Sequence, residues 1–223
     1  MLDQSYFTAN IFAMVKLDNP YAKQRPSWKV FVPMLLVYPI LKWVIHYSYF
    51  SFLYQYSIAL LILIIIAQYL DERLFTKDRI FSFDFPFERK IFYLFVMIIV
   101  LIPIRNIAVQ FTPTPQLLNF YQGKIKTLES VLIMVAIIAP CEELFFRGFA
   151  QYNLSFFFGK YGGVVIAALL YSITGIAAHS LYLAVLFFII GIVIGLIYSR
   201  VQSLVQATLL HIITIIFMYL FPF

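Results

Sequence analysis

Long apolar runs separated by short polar breaks organise this chain. Neither the alternation of a half-buried strand nor the polar stripe of a surface helix interrupts them, and a run of roughly twenty apolar residues is the length of a membrane-crossing helix. The pattern predicts seven such helices, within a range of six to eight, over residues 30–47, 53–70, 91–111, 128–158, 164–181, 183–198 and 204–221. The expected fold is therefore all-α, a polytopic membrane bundle. Residues 1–29 read as a membrane-edge segment. The early stretch 1–10 has no basic residue and 11–17 is short for an apolar core, so no secretory signal is expected there. Pro33 and Pro39 are expected to kink the first span. Tyr47, Tyr49, Phe50, Phe52, Tyr54 and Tyr56 fit an aromatic belt at a membrane surface. The stretch 71–90 is a polar loop of mixed charge, and 112–127, with Pro113, Pro115 and Gly123, is a second loop. Gly159–Gly163 breaks the fourth helix from the fifth. Gly191 and Gly195, four apart in the sixth, match a close helix-packing spacing. The chain divides into 1–127, with three spans, and 128–223, a core of four helices.

Composition sharpens this picture. The chain is 63% hydrophobic and 12% charged, against about 25% charged for soluble domains. The net charge of +6 then concerns lipid headgroups and orientation, and no nucleic-acid partner is implied. Lys16, Lys23, Arg25, Lys29, Arg147, Lys160 and Arg200 are among the many basic residues on one side, while Arg105, Lys124 and Lys126 fall on the other. By the positive-inside rule the N-terminus is cytoplasmic. The single cysteine, Cys141, excludes an intramolecular disulfide and a cysteine-based metal cluster.

Against this background the stretch Ala139-Pro140-Cys141-Glu142-Glu143-Leu144-Phe145-Phe146-Arg147-Gly148 stands out. A charged side chain at the centre of a membrane helix costs about 2.5–3.5 kcal/mol on insertion scales. Glu142, Glu143 and Arg147 lie within six positions, and such residues face one another or a hydrated cavity. Glu143 and Arg147, four apart, share a helix face and can pair. Glu142 points about 100° away and is free for another task. His179 and His211 lie in the later apolar runs. A buried carboxylate can act as general base to a water. Two imidazoles can stabilise an oxyanion or, with Glu142 or Glu143 as a third ligand, hold a divalent metal such as zinc. The residues leave hydrolysis with or without a metal equally open. Blander roles stand beside these: an ion-pair knot between helices for the Glu-Glu-Arg cluster, and helix-to-helix hydrogen bonds for each histidine. Other membrane proteases fit less well. No histidine begins a His-Glu-x-x-His motif, every aspartate lies outside the apolar runs, and there is no Gly-x-Ser-x-Gly.

Glu142-Glu143-x-x-x-Arg147, a histidine 36 residues after Glu143 and another in the last helix together resemble the CPBP family. These are the CAAX-prenyl-protease-like and bacteriocin-processing intramembrane proteases, and the resemblance covers residues 128–221. It implies that Glu142 activates water, that His179 and His211 are the histidines of the second and third motifs, and that Arg147 supports the first. It also implies a bacterial cytoplasmic membrane and a peptide or protein substrate, lipidated or not. Gly175 stands where the second motif carries Phe, and Ile215 where the third carries Asn or Asp. Those two positions motivate a second reading: an inactive family member acting as membrane scaffold or immunity protein.

Overall fold

The computed structural model describes residues 27–47, 52–71, 74–75, 92–93, 95–97, 99–100, 102–103, 128–178 and 180–220. The membrane-edge segment 1–26, most of the third expected span, the loop 112–127 and His179 lie outside the described residues. No strand occurs among the described residues. A 3-10 turn, Trp28–Val30, is capped by Ser27, whose Oγ accepts the Lys29 N–H at 3.4 Å. It leads into α1, Phe31–Tyr47, which holds Pro39. The next helix, α2, is Phe52–Leu70. From residue 128 five helical segments follow without interruption: α3, Leu128–Ile133; a π-helical turn, Met134–Ile138; α4, Ala139–Glu143; a second π-helical stretch, Leu144–Gln151; and α5, Tyr152–Ala177. The last two helices are α6, Leu181–Val201, and α7, Leu204–Leu220.

Local chemistry explains several boundaries. Pro140 has no N–H, and its ring presses on the carbonyl four residues back. That carbonyl belongs to Ala136, inside the widened turn Met134–Ile138. The break after residue 158 is a single residue, Gly159, at φ 74 and ψ 169. A side chain there would meet open space, so the backbone angle alone calls for glycine. The expected break over Gly159–Gly163 is thus narrower, and Gly162 and Gly163 are already helical. Gln202, at φ 53, ends α6. Ser180 and Ser203 cap the following helices, their hydroxyls accepting from Leu183 N at 3.2 Å and Gln206 N at 3.4 Å.

Two helices are long and apolar enough to cross a membrane, Phe52–Leu70 and Leu183–Val201, and Leu204–Phe217 is apolar but shorter. Each helix is apolar on both its faces. In α1, Met34, Val37, Leu41 and Val44 are buried while Leu35, Tyr38 and Trp43 are exposed; in α2, Leu60, Leu63 and Ala67 are buried while Ile58, Leu61 and Ile65 are exposed. α5 packs chiefly on α6, and α1 lies against both α2 and α5. The spacing of Gly191 and Gly195 serves this packing, since a Cβ on Gly191 would lie 3.0 Å from Ala168 Cβ and one on Gly195 3.0 Å from Val164 Cγ1.

Candidate active site

The sequence places Glu142 and Glu143 at the end of α4, and the bundle buries both. The next stretch, Leu144–Gln151, is π-helical and buried from Phe145 onward. π turns inside α-helices are uncommon and often mark functional sites. Phe145, Phe146 and Phe149 pack on one another there, with ring centroids 5.1 and 5.8 Å apart for Phe145 with Phe146 and with Phe149. All three are buried.

Glu143 and Arg147 pair as their spacing predicts, with Arg147 Nε 3.2 Å from Glu143 Oε2. Arg147 has no accessible surface, and Glu143 retains 1%. The two touch as ions without hydrogen-bond alignment, and both terminal guanidinium nitrogens are buried without a hydrogen-bond partner among the described residues. The guanidinium carbon instead stands 5.6 Å from the centre of the Tyr171 ring, a cation–π contact.

His211, from α7, lies between the two glutamates. Its Nδ1 is 2.8 Å from Glu143 Oε1 and its Nε2 is 3.3 Å from Glu142 Oε2. A neutral imidazole carries one N–H. When Nδ1–H donates to Glu143, the Nε2–Glu142 contact holds together only with a further proton on one of its two atoms. The carboxylate and the imidazole stand close enough there to interact as charges, without hydrogen-bond alignment.

Two tyrosines complete the arrangement, and neither was among the residues singled out by charge. The Tyr171 hydroxyl donates to Glu142 Oε2 at 3.1 Å and lies 3.4 Å from His211 Nε2. Its ring stacks on Phe187 at 4.9 Å and 22° and tilts against Phe146 at 4.9 Å. The Tyr56 hydroxyl, from α2, donates to Glu142 Oε1. Tyr56 is buried, which corrects its placement in a surface aromatic belt. Tyr54 is exposed and donates to Glu129. The sequence signal for Tyr56 and Tyr171 was only that of a phenol inside an apolar run, which needs a partner once buried.

The structure thus brings Glu142, Glu143, Arg147 and His211 into one cluster, while His179 lies outside the described residues. Among the described residues no three His, Cys, Asp or Glu side chains are placed to hold a metal ion. Both ring nitrogens of His211 face glutamates, and Glu143 already faces Arg147 with its other oxygen. Among the described residues these donors face one another and no further ligand joins them, and no step below passes through a metal. Cys141 is a half-buried free thiol. Ile215 packs against the apolar core, and Thr214 Oγ1 donates to Leu210 O at 2.9 Å within its own helix.

Residues 124–217 match the family described as type II CAAX prenyl endopeptidase Rce1-like. Over this C-terminal stretch the chain is similar to the CAAX-protease family. The match takes in Glu142, Glu143, Arg147, Tyr171 and His211 and leaves out Tyr56. No curated protein and no solved structure matches the chain. That likeness and the apolar helices point to a membrane peptidase of the CAAX-protease type.

Proposed function

We propose that the protein is an intramembrane endopeptidase in which Glu142 activates water to cleave a peptide bond. The observation that carries this reading is the buried Glu142 carboxylate, held by two tyrosine hydroxyls with His211 Nε2 at 3.3 Å. A water held on Glu142 passes a proton to the carboxylate as its oxygen attacks the scissile carbonyl carbon. The new C–O bond gives a tetrahedral oxyanion. As the oxyanion collapses, the C–N bond breaks and the leaving amine takes up the proton. His211 shares that proton at Nε2, and His179 is assigned to the oxyanion. Glu143 and Arg147 hold His211 and the helix in place.

The description of the matched family points to C-terminal prenylated peptides as the substrate class, reached from the bilayer in which the chain sits as a bundle of about seven spans. The excess of basic residues on one side supports a cytoplasmic N-terminus in a bacterial membrane. Residues 128–223 form the catalytic core in this reading. The test is cleavage of a farnesylated CAAX peptide by the purified chain. Glu142→Gln is expected to lower the rate about 10²–10⁴-fold while the protein stays folded. Undiminished cleavage in that variant rejects the reading. An inactive scaffold or immunity protein is the second reading, and Ile215, apolar and packed, favours it. A cellular phenotype that survives Glu142→Gln, His179→Ala and His211→Ala together would decide for it.

A further inference from the structure

We infer that Tyr56 is a positioning residue for the Glu142 carboxylate, so that the reaction site is built across both halves of the chain. The inference rests on Glu142 being the general base. A base must aim one oxygen at the water it activates, and a glutamate side chain has several rotatable bonds with which to miss. On one edge of Glu142, Oε2 meets Tyr171 at 3.1 Å and His211 Nε2 at 3.3 Å. Those contacts come from α5 and α7. They leave Oε1 free to swing unless something holds it from the opposite side. Tyr56 supplies that hold from α2.

Tyr56 is itself well fixed. Its ring lies parallel to that of Phe52, one turn earlier, at 5.9 Å and 3°. It is buried. Two residues before it, Tyr54 donates to Glu129 at the start of α3. That neighbouring bond lies at the exposed surface, whereas the bond from Tyr56 to Glu142 is buried. An ionised carboxylate oxygen has two lone pairs, so Tyr56 leaves one on Oε1 for the water. Tyr56 and the rest of α2 lie outside the matched residues 124–217.

Kinetics of the full chain in detergent, with the farnesylated CAAX peptide as probe, test the role. In Tyr56→Phe the carboxylate loses one restraint, and kcat is expected to fall about ten- to a hundredfold with KM unchanged. The same change on the Glu142→Gln background is expected to cost nothing more. Tyr54→Phe, which removes the neighbouring bond to Glu129, is expected to leave kcat as it was. Cleavage by Tyr56→Phe at or above the original rate overturns the inference, the latter showing that Tyr56 caps the base instead. So does a rise in KM alone, or an equal loss on the Glu142→Gln background. Infrared difference spectra need no substrate. Wild type minus Glu142→Gln isolates the Glu142 carboxyl band, which Tyr56→Phe is expected to shift and Tyr54→Phe to leave alone; an unmoved band overturns the inference. If Tyr56→Phe does not fold, difluorotyrosine at position 56 keeps the shape and strengthens the bond, and the band is again expected to move. Cleavage retained in Glu142→Gln overturns the proposed function and the positioning role with it, whereas an active wild type with a dead Glu142→Gln and an unaffected Tyr56→Phe overturns the role of Tyr56 alone.

Discussion

Arg147 has lost all contact with solvent, and among the described residues its ionic partner is Glu143 at 3.2 Å. Arg147→Ala would leave Glu143 buried with His211 as its remaining partner. Removing one member of a buried pair typically costs about 3–5 kcal/mol. The expected outcome is a marked drop in thermal stability in detergent, larger than for Glu142→Gln, which keeps the shape of the side chain it replaces. Arg147→Lys retains the charge and loses the planar group over Tyr171, so partial recovery of stability is expected. His211 leads to a prediction about metal. With both ring nitrogens turned to glutamates, cleavage of the prenylated probe is expected to survive treatment with a chelator such as phenanthroline. Loss of activity, restored by adding zinc back, would show instead that His179, His211 and Glu142 form a metal site. At this scale the pairing of Glu143 with Arg147 was legible from spacing, because four residues bring side chains together on one helix whatever the fold. The meeting of Tyr56 with Glu142 was not, because 86 residues separate them.

Helix packing explains one departure from the family pattern. Gly175 stands where the second motif carries Phe. A Cβ at that position would fall 2.3 Å from Ala184 N and 2.6 Å from Ala184 Cα. These are backbone atoms of α6, held by the Ser180 cap and unable to turn aside as a side chain could. Gly175→Ala is expected to push α5 from α6 and to destabilise the bundle by at least about 1–3 kcal/mol, the usual cost of overpacking. Thermal unfolding monitored by circular dichroism measures it, and a variant as stable as the parent would show that the close approach is not maintained in solution. The extent of α1, α2, α6 and α7 was largely visible in the apolar runs, with ends displaced by a few residues. The faces were not visible. Leu35 and Leu41 are equally apolar, yet one is exposed and the other buried. In a bundle surrounded by lipid, hydrocarbon favours neither side.

At the scale of the whole molecule, the C-terminal stretch that matches the family is not the whole site. α2 contributes the Tyr56 hydroxyl and a buried face through Leu60, Leu63 and Ala67. Residues 128–223 expressed alone are therefore expected to cleave the prenylated probe poorly or not at all. Co-expression with residues 1–120 is expected to restore cleavage, because the lost contacts are between helices. Full activity of the shorter piece would show that α2 is dispensable. The sequence by itself determined apolar helices among the described residues, the helical stretch that carries Glu142, Glu143 and Arg147, and the resemblance to CAAX proteases. Those features depend on composition and on spacing within a turn or two, which no tertiary arrangement can alter. Tertiary structure alone decided that His211 stands between the two glutamates, that two phenols hold the carboxylate of Glu142, and which apolar faces meet. Contacts between helices far apart in sequence follow from shape and close packing, and an apolar alphabet used on every face leaves no periodic trace of them.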